Sequence, residues 1–154
     1  MANEKDEIVL VKYEAKSFMG IDSSRPVVID FSSMRKNRFV ELSGDQSQGK
    51  TSTLYGLMYA LCGNVPFEKK RLMNSVDNGI DTVLEFKHND DNYKIEASST
   101  RINLKKEVKE GKWQLQNGPV EMIKEMFGPV GMFPMNVKEM DGDKQIEFFQ
   151  KMFG

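Results

Sequence analysis

One run of eight residues constrains this chain more than any other: Gly44-Asp45-Gln46-Ser47-Gln48-Gly49-Lys50-Thr51 fits the spacing G-x-x-x-x-G-K-[ST]. Glycine lets a backbone curl until successive N–H groups point at a common centre, which is a cradle for an anion. A lysine directly after the second glycine can reach the β- and γ-phosphates of a nucleotide. The hydroxyl beside it can ligate Mg²⁺. Such a loop needs a strand before it and a helix after it, because a helix N-terminus carries partial positive charge. Arg38 to Ser43 reads as that strand. Gly49 to Cys62 reads as the helix, with Leu54, Leu57, Met58 and Leu61 at three- and four-residue spacing and Gly63 as a stop. The residues expected to hold phosphate are therefore Gly44, Asp45, Gln46, Ser47, Gln48, Gly49, Lys50, Thr51 and Ser52, with Thr51 on Mg²⁺. A plain glycine-bounded turn explains the glycines but not Lys50-Thr51 at that offset.

The rest of the chain reads as an α/β domain. Ile8 to Lys16 and Val27 to Phe31 are rich in β-branched residues and read as strands, joined through the turn cluster Ser23-Ser24-Arg25-Pro26. Asp81 to Lys87 and Tyr93 to Ala97 form a predicted hairpin around His88 to Asn92. Arg101 to Lys109 and Lys112 to Gln116 form another around Glu110-Gly111. Pro119 suits the first turn of a helix running to Phe127, and Asp143 to Phe153 reads as a last short helix. The expected organisation is a single domain over 1–154, with strands, loop and helix in 1–63, a β-meander in 80–117 and a helical tail in 119–154.

Composition narrows the function classes. At 154 residues the chain is long enough for a core without staples, and its only cysteine, Cys62, excludes an intrachain disulfide framework. Lys plus Arg is 22 against 23 for Asp plus Glu, so a generally basic nucleic-acid coat is excluded and only local strips could serve. Two strips exist: Arg35-Lys36-Asn37-Arg38, and Arg101 to Lys112 with a net charge of +3. A solvated strand face is the simpler reading of the second; tracking of DNA is the sharper one. No apolar run approaches the ~18–20 residues of a membrane span, and the acidic start at Glu4, Asp6 and Glu7 does not fit a secretory signal. A cytoplasmic or nucleoid-associated protein is expected.

Two further segments imitate nucleotide-site motifs. Leu42-Ser43-Gly44-Asp45-Gln46 looks like the LSGGQ signature of ABC ATPases, but overlaps the glycine-lysine loop and cannot be both. Val27-Val28-Ile29-Asp30 has the apolar-run-then-Asp pattern of a Walker B strand, but precedes the loop and fits an ordinary half-buried strand. The sequence thus offers a triphosphate cradle without a metal-holding Asp, a catalytic base or a signature.

From Ile8 to Gly63 the chain resembles the N-terminal lobe of the ABC-type ATPase heads of the SMC (structural maintenance of chromosomes), RecF and RecN-like group. The resemblance lies in Tyr13-Glu14-Ala15-Lys16-Ser17-Phe18-Met19-Gly20, in Ile29-Asp30-Phe31, in Gly44 to Ser52 and in Ala60-Leu61-Cys62-Gly63. Gln46 and Ser47 depart from the Asn and Gly usual in that group. The resemblance implies an α/β fold of P-loop NTPase N-lobe type, with a mixed β-sheet, the loop helix, a β-meander subdomain and C-terminal helices. It also implies Lys16 and Ser17 near the phosphates, and ATP with Mg²⁺ as ligands. In that group the remaining motifs sit in a C-terminal lobe beyond a coiled coil. The implied partners are thus that lobe in cis or in trans, a nucleotide-dependent dimer, and DNA through the local basic strips. Two other classes fit the loop alone: a self-contained small P-loop phosphotransferase, and a nucleotide-sensing module that pairs with another ATPase half.

Overall fold

A computed structural model describes residues 7–34, 42–46, 49–62 and 68–127. Six strands form one sheet: β1 (Ile8–Ser17), β2 (Val27–Asp30), β3 (Asp81–His88), β4 (Asp91–Ser98), β5 (Ile102–Lys109) and β6 (Lys112–Leu115). Their order is β2-β1-β3-β4-β5-β6, and every pairing among the described residues is antiparallel. The helices are α1 (Lys50–Cys62), a single turn α2 (Lys69–Leu72) and α3 (Pro119–Phe127). Among the described residues no helix is long and apolar enough to cross a membrane.

Local chemistry accounts for the hairpins. Asn89 has φ 55° and closes the β3–β4 turn with Asp90, so the strands run further into His88–Asn92 than expected. Gly111 has φ 73°, and its N–H donates to Glu107 Oε1 at 2.8 Å, closing β5–β6. Alternation then sorts the faces. Tyr13, Ala15, Leu84, Phe86, Tyr93, Ile95 and Leu104 point inward beneath α1 and α3, where Ala60 and Ile123 complete the core. A second cluster packs Phe18, Met58, Tyr59, Leu72, Ile80 and Ala97, with the Phe18 and Tyr59 rings 5.8 Å apart. The opposite face is a ladder of charges: Lys105 Nζ lies 2.6 Å and Lys94 Nζ 3.5 Å from Glu96, and Lys94 sits 4.6 Å over the Trp113 ring. Burial alone pushes the Glu96 carboxyl up, but these two ammonium groups outweigh it and hold it below its ordinary value.

The structure redraws three expectations. The meander continues the sheet of β1 and β2, because β1 pairs with β3 along its whole length. Of the expected strand Arg38 to Ser43, positions 38–41 lie outside the described residues, while Leu42 and Ser43 carry no regular structure. The mixed sheet is therefore not seen among the described residues. The expected apolar stripe of α1 holds for Met58, which is buried, and for Leu57 and Leu61, which pack on the core, but Leu54 is 46% exposed, and Thr53, Gly56 and Ala60 also face the sheet. Small residues at i, i+3 and i+7 let the helix sit close to Tyr13, and closeness decides the face of a helix that is apolar most of the way round. The expected last helix at 143–153 and Gly63 lie outside the described residues.

Candidate functional site

The loop before α1 follows the chemistry its residues dictate. Gly44 has φ 144° and Gly49 φ 78°, both in the region that favours glycine. Gly49 caps α1: its carbonyl accepts the N–H of Thr53 and the Thr53 hydroxyl, each at 2.8 Å. Lys50, Thr51 and Ser52 then occupy the first turn, whose N–H groups have no carbonyl within the helix to bond. No acidic residue stands in that turn, so no side chain of α1 itself offsets the positive end of this 13-residue helix. An added β-carbon on Gly49 meets nothing within 4 Å, so Gly49→Ala isolates the backbone strain. Urea denaturation should show a loss of about 1 kcal/mol.

Lys50 folds back over the loop. Its Nζ donates to the carbonyls of Gly44 and Asp45, at 2.5 Å in each case. The ammonium thus ties the start of the loop to the first turn of α1. In front lies a pocket of about 690 Å³, a size suited to a small organic ligand. Gln46, Gly49, Lys50, Thr51 and Ser52 form one wall; Gly20, Ile21, Arg25 and Val27, from the β1–β2 connection, form the other. Two of these residues are cationic and none is acidic.

Five of the expected site residues therefore share one pocket, while Gly44 and Asp45 serve it through their carbonyls. Ser47 and Gln48 lie outside the described residues. Lys16 and Ser17 are elsewhere. Strand alternation sends Lys16 to the outer face, 3.8 Å from Glu14, and turns Ser17 inward to donate to the Gly79 carbonyl at 2.9 Å. The second cation of the pocket is Arg25, which the sequence presents only as part of a turn. Its one local signal is Pro26, which restricts the backbone of the preceding residue to extended conformations.

Thr51 is exposed at the pocket and could give one oxygen to Mg²⁺. Among the described residues no group of three His, Cys, Asp or Glu could hold a metal unaided. Mg²⁺ commonly binds through one or two protein oxygens plus substrate phosphates and water, so Thr51 fits as a partial ligand.

Two of the five basic residues in the strip Arg101 to Lys112 are ion-paired in place. Lys105 pairs with Glu96 and Lys106 with Asp91, both at 2.6 Å, and alternation sends the two lysines to opposite faces. Positions 35–38 of the other strip lie outside the described residues. Compared with known proteins, the chain matches no family model, and no curated protein matches it significantly.

Proposed function

We propose that the chain is the ATP-binding half of an SMC/RecF-like ATPase of DNA repair or maintenance, binding Mg·ATP and needing a complementary lobe, in cis or in trans, for hydrolysis. One observation carries the reading: Lys50 and Thr51, at the N-terminus of α1, share a pocket with Arg25 and with no carboxylate. The N–H groups of the loop and first turn would take the phosphate oxygens. Lys50 would neutralise charge on the β- and γ-phosphates, Thr51 would help hold Mg²⁺, and Arg25 would close the site from the β1–β2 side. Phosphoryl transfer depends on positioning and charge stabilisation around the whole phosphate. The wall supplies cations, amides, the Gln46 side chain and the hydroxyls of Thr51 and Ser52, but no carboxylate to act as a base. A nucleotide-dependent dimer, with DNA engaged by the assembly, follows from the resemblance rather than from the pocket.

The purified chain should bind Mg·ATP and turn it over at below about 10⁻³ per second, the range of an uncompleted GTPase site. Addition of a complementary lobe should raise that rate. Sustained rapid turnover by the chain alone, or transfer of phosphate to a small acceptor followed by mass spectrometry, would favour a self-contained phosphotransferase instead.

A further inference from the structure

The wall that carries Arg25 is held by more than the pairing of its own strands. Between β1 and β2 the chain makes a tight turn, with Phe18 and Ile21 exchanging backbone hydrogen bonds at 3.0 and 2.9 Å. A second turn follows, where the Arg25 N–H donates to the Asp22 carbonyl at 3.0 Å. Both turns are tied to the end of α2 and the segment that follows it. The Met19 N–H donates to the Leu72 carbonyl at 2.8 Å, and Asn74 Nδ2 donates to the Met19 carbonyl at 2.7 Å. Buried Asn74 also accepts the N–H groups of Val76 and Asp77 at 2.8 and 3.0 Å, which fixes the shape of that loop. Asp77 then takes Ser23 with both carboxylate oxygens: the Ser23 N–H donates to Oδ2 and the Ser23 hydroxyl to Oδ1, each at 2.8 Å.

We propose that Asp77 is a positioning residue of the pocket, holding through Ser23 the turn that presents Arg25 to the phosphates of a bound nucleotide. Ser23 stands two residues before Arg25, and Pro26 stiffens the other side. Between these fixed points Arg25 has little backbone freedom, so its guanidinium is presented at small entropic cost. Hydrogen bonds to a carboxylate are stronger than neutral ones, and a two-pronged pair sets direction as well as distance. Asn74 completes the relay by ordering Asp77, but it is buried, and replacing it would disturb the fold. Asp77 and Ser23 are exposed and can be replaced without opening the core. The role of Arg25 rests on the nucleotide reading above; the ordering of the turn does not.

The test uses the full chain and three variants, Asp77→Ala, Arg25→Ala and the double variant. Mg·ATP affinity is measured by titration, and order in the turn by amide hydrogen exchange. Asp77→Ala should weaken binding by about tenfold, the equivalent of one charged hydrogen-bond pair at an exposed position. The Ser23 and Arg25 amides should lose protection while those of β3 to β5 keep theirs. In the Arg25→Ala background the same change should cost no further affinity, because its effect passes through Arg25. Asp77→Asn should fall between, since an amide can accept one of the two bonds. Unchanged amide protection, or an equal affinity loss with and without Arg25, would overturn the proposal. If the wild-type chain binds no Mg·ATP, the functional reading and the role of Arg25 in it fall together. The exchange measurement then decides alone whether Asp77 orders the turn.

Discussion

Lys50→Ala should weaken Mg·ATP binding by about a hundredfold or more while leaving the fold intact. The lysine does two things at once. Its ammonium bridges the carbonyls of Gly44 and Asp45, and so closes the loop on itself. It also brings one of the two full positive charges to the pocket wall. A hydrogen bond involving a charged group contributes ~1.5–3 kcal/mol, and every ~1.4 kcal/mol is tenfold in affinity. Loss of its charged contacts to the β- and γ-phosphates therefore amounts to about two orders of magnitude or more. Stability should barely move, since the side chain lies at the pocket edge rather than in the core. Lys50→Arg should not restore binding, because a planar guanidinium cannot take the place of a compact ammonium between two carbonyls. Calorimetric titration of the three proteins checks this; equal affinities would place the phosphates elsewhere.

Among the described glycines, Gly56→Ala should be the most costly addition of a single methyl. A β-carbon there would lie 2.1 Å from Tyr13 Oη and 3.4 Å from the Phe18 ring. Real contacts do not approach the first distance, so either α1 lifts or Tyr13 leaves its rotamer. Overpacking of this kind costs about 1–3 kcal/mol, and the upper end applies where both partners are fully buried. Tyr13→Phe behaves in the opposite sense. The Tyr13 hydroxyl is buried with no hydrogen-bond partner, and burial pushes its pKa well above the ordinary phenol range. Removing it should be neutral or stabilising by up to about 1 kcal/mol. It also removes the atom that the new methyl strikes. The penalty of Gly56→Ala should thus shrink by more than half in the Tyr13→Phe background, a coupling that a denaturation double-mutant cycle measures directly. Strict additivity would mean that α1 does not rest on Tyr13. The consequence reaches the pocket, because a lifted α1 carries Lys50 and Thr51 with it.

The features legible in the sequence are those fixed by neighbours along the chain. The β3–β4 and β5–β6 hairpins follow from alternation and from turn residues such as Asn89 and Gly111. The α1 boundary follows from Gly49, and α3 from Pro119. The loop itself is legible because its glycines and lysine act within a few residues of one another. Contacts between distant segments are not legible in this way. Arg25 reaches the pocket only because β1, β2 and α1 bring two walls together, and Ser23 meets Asp77 across 54 positions. Lys16 and Ser17 miss the pocket because a two-residue period sends neighbours to opposite faces of β1, and neither face opens on it. Recurrence places Leu57, Met58 and Leu61 of α1 correctly toward the core, but the close contact is set by the small residues that the sheet can accept. Leu54 is therefore exposed and Gly56 buried.

The central claim is that a nucleotide triphosphate sits between the glycine-lysine loop and the β1–β2 turns. Titration of the isotope-labelled chain with Mg·ATP, followed amide by amide in solution, tests it most directly. The account predicts saturable shifts at Gly44, Gly49, Lys50, Thr51 and Ser52 together with Gly20, Ile21 and Arg25, and little change along β4 to β6. Absence of shifts at millimolar Mg·ATP, or shifts that leave the loop untouched, would contradict it.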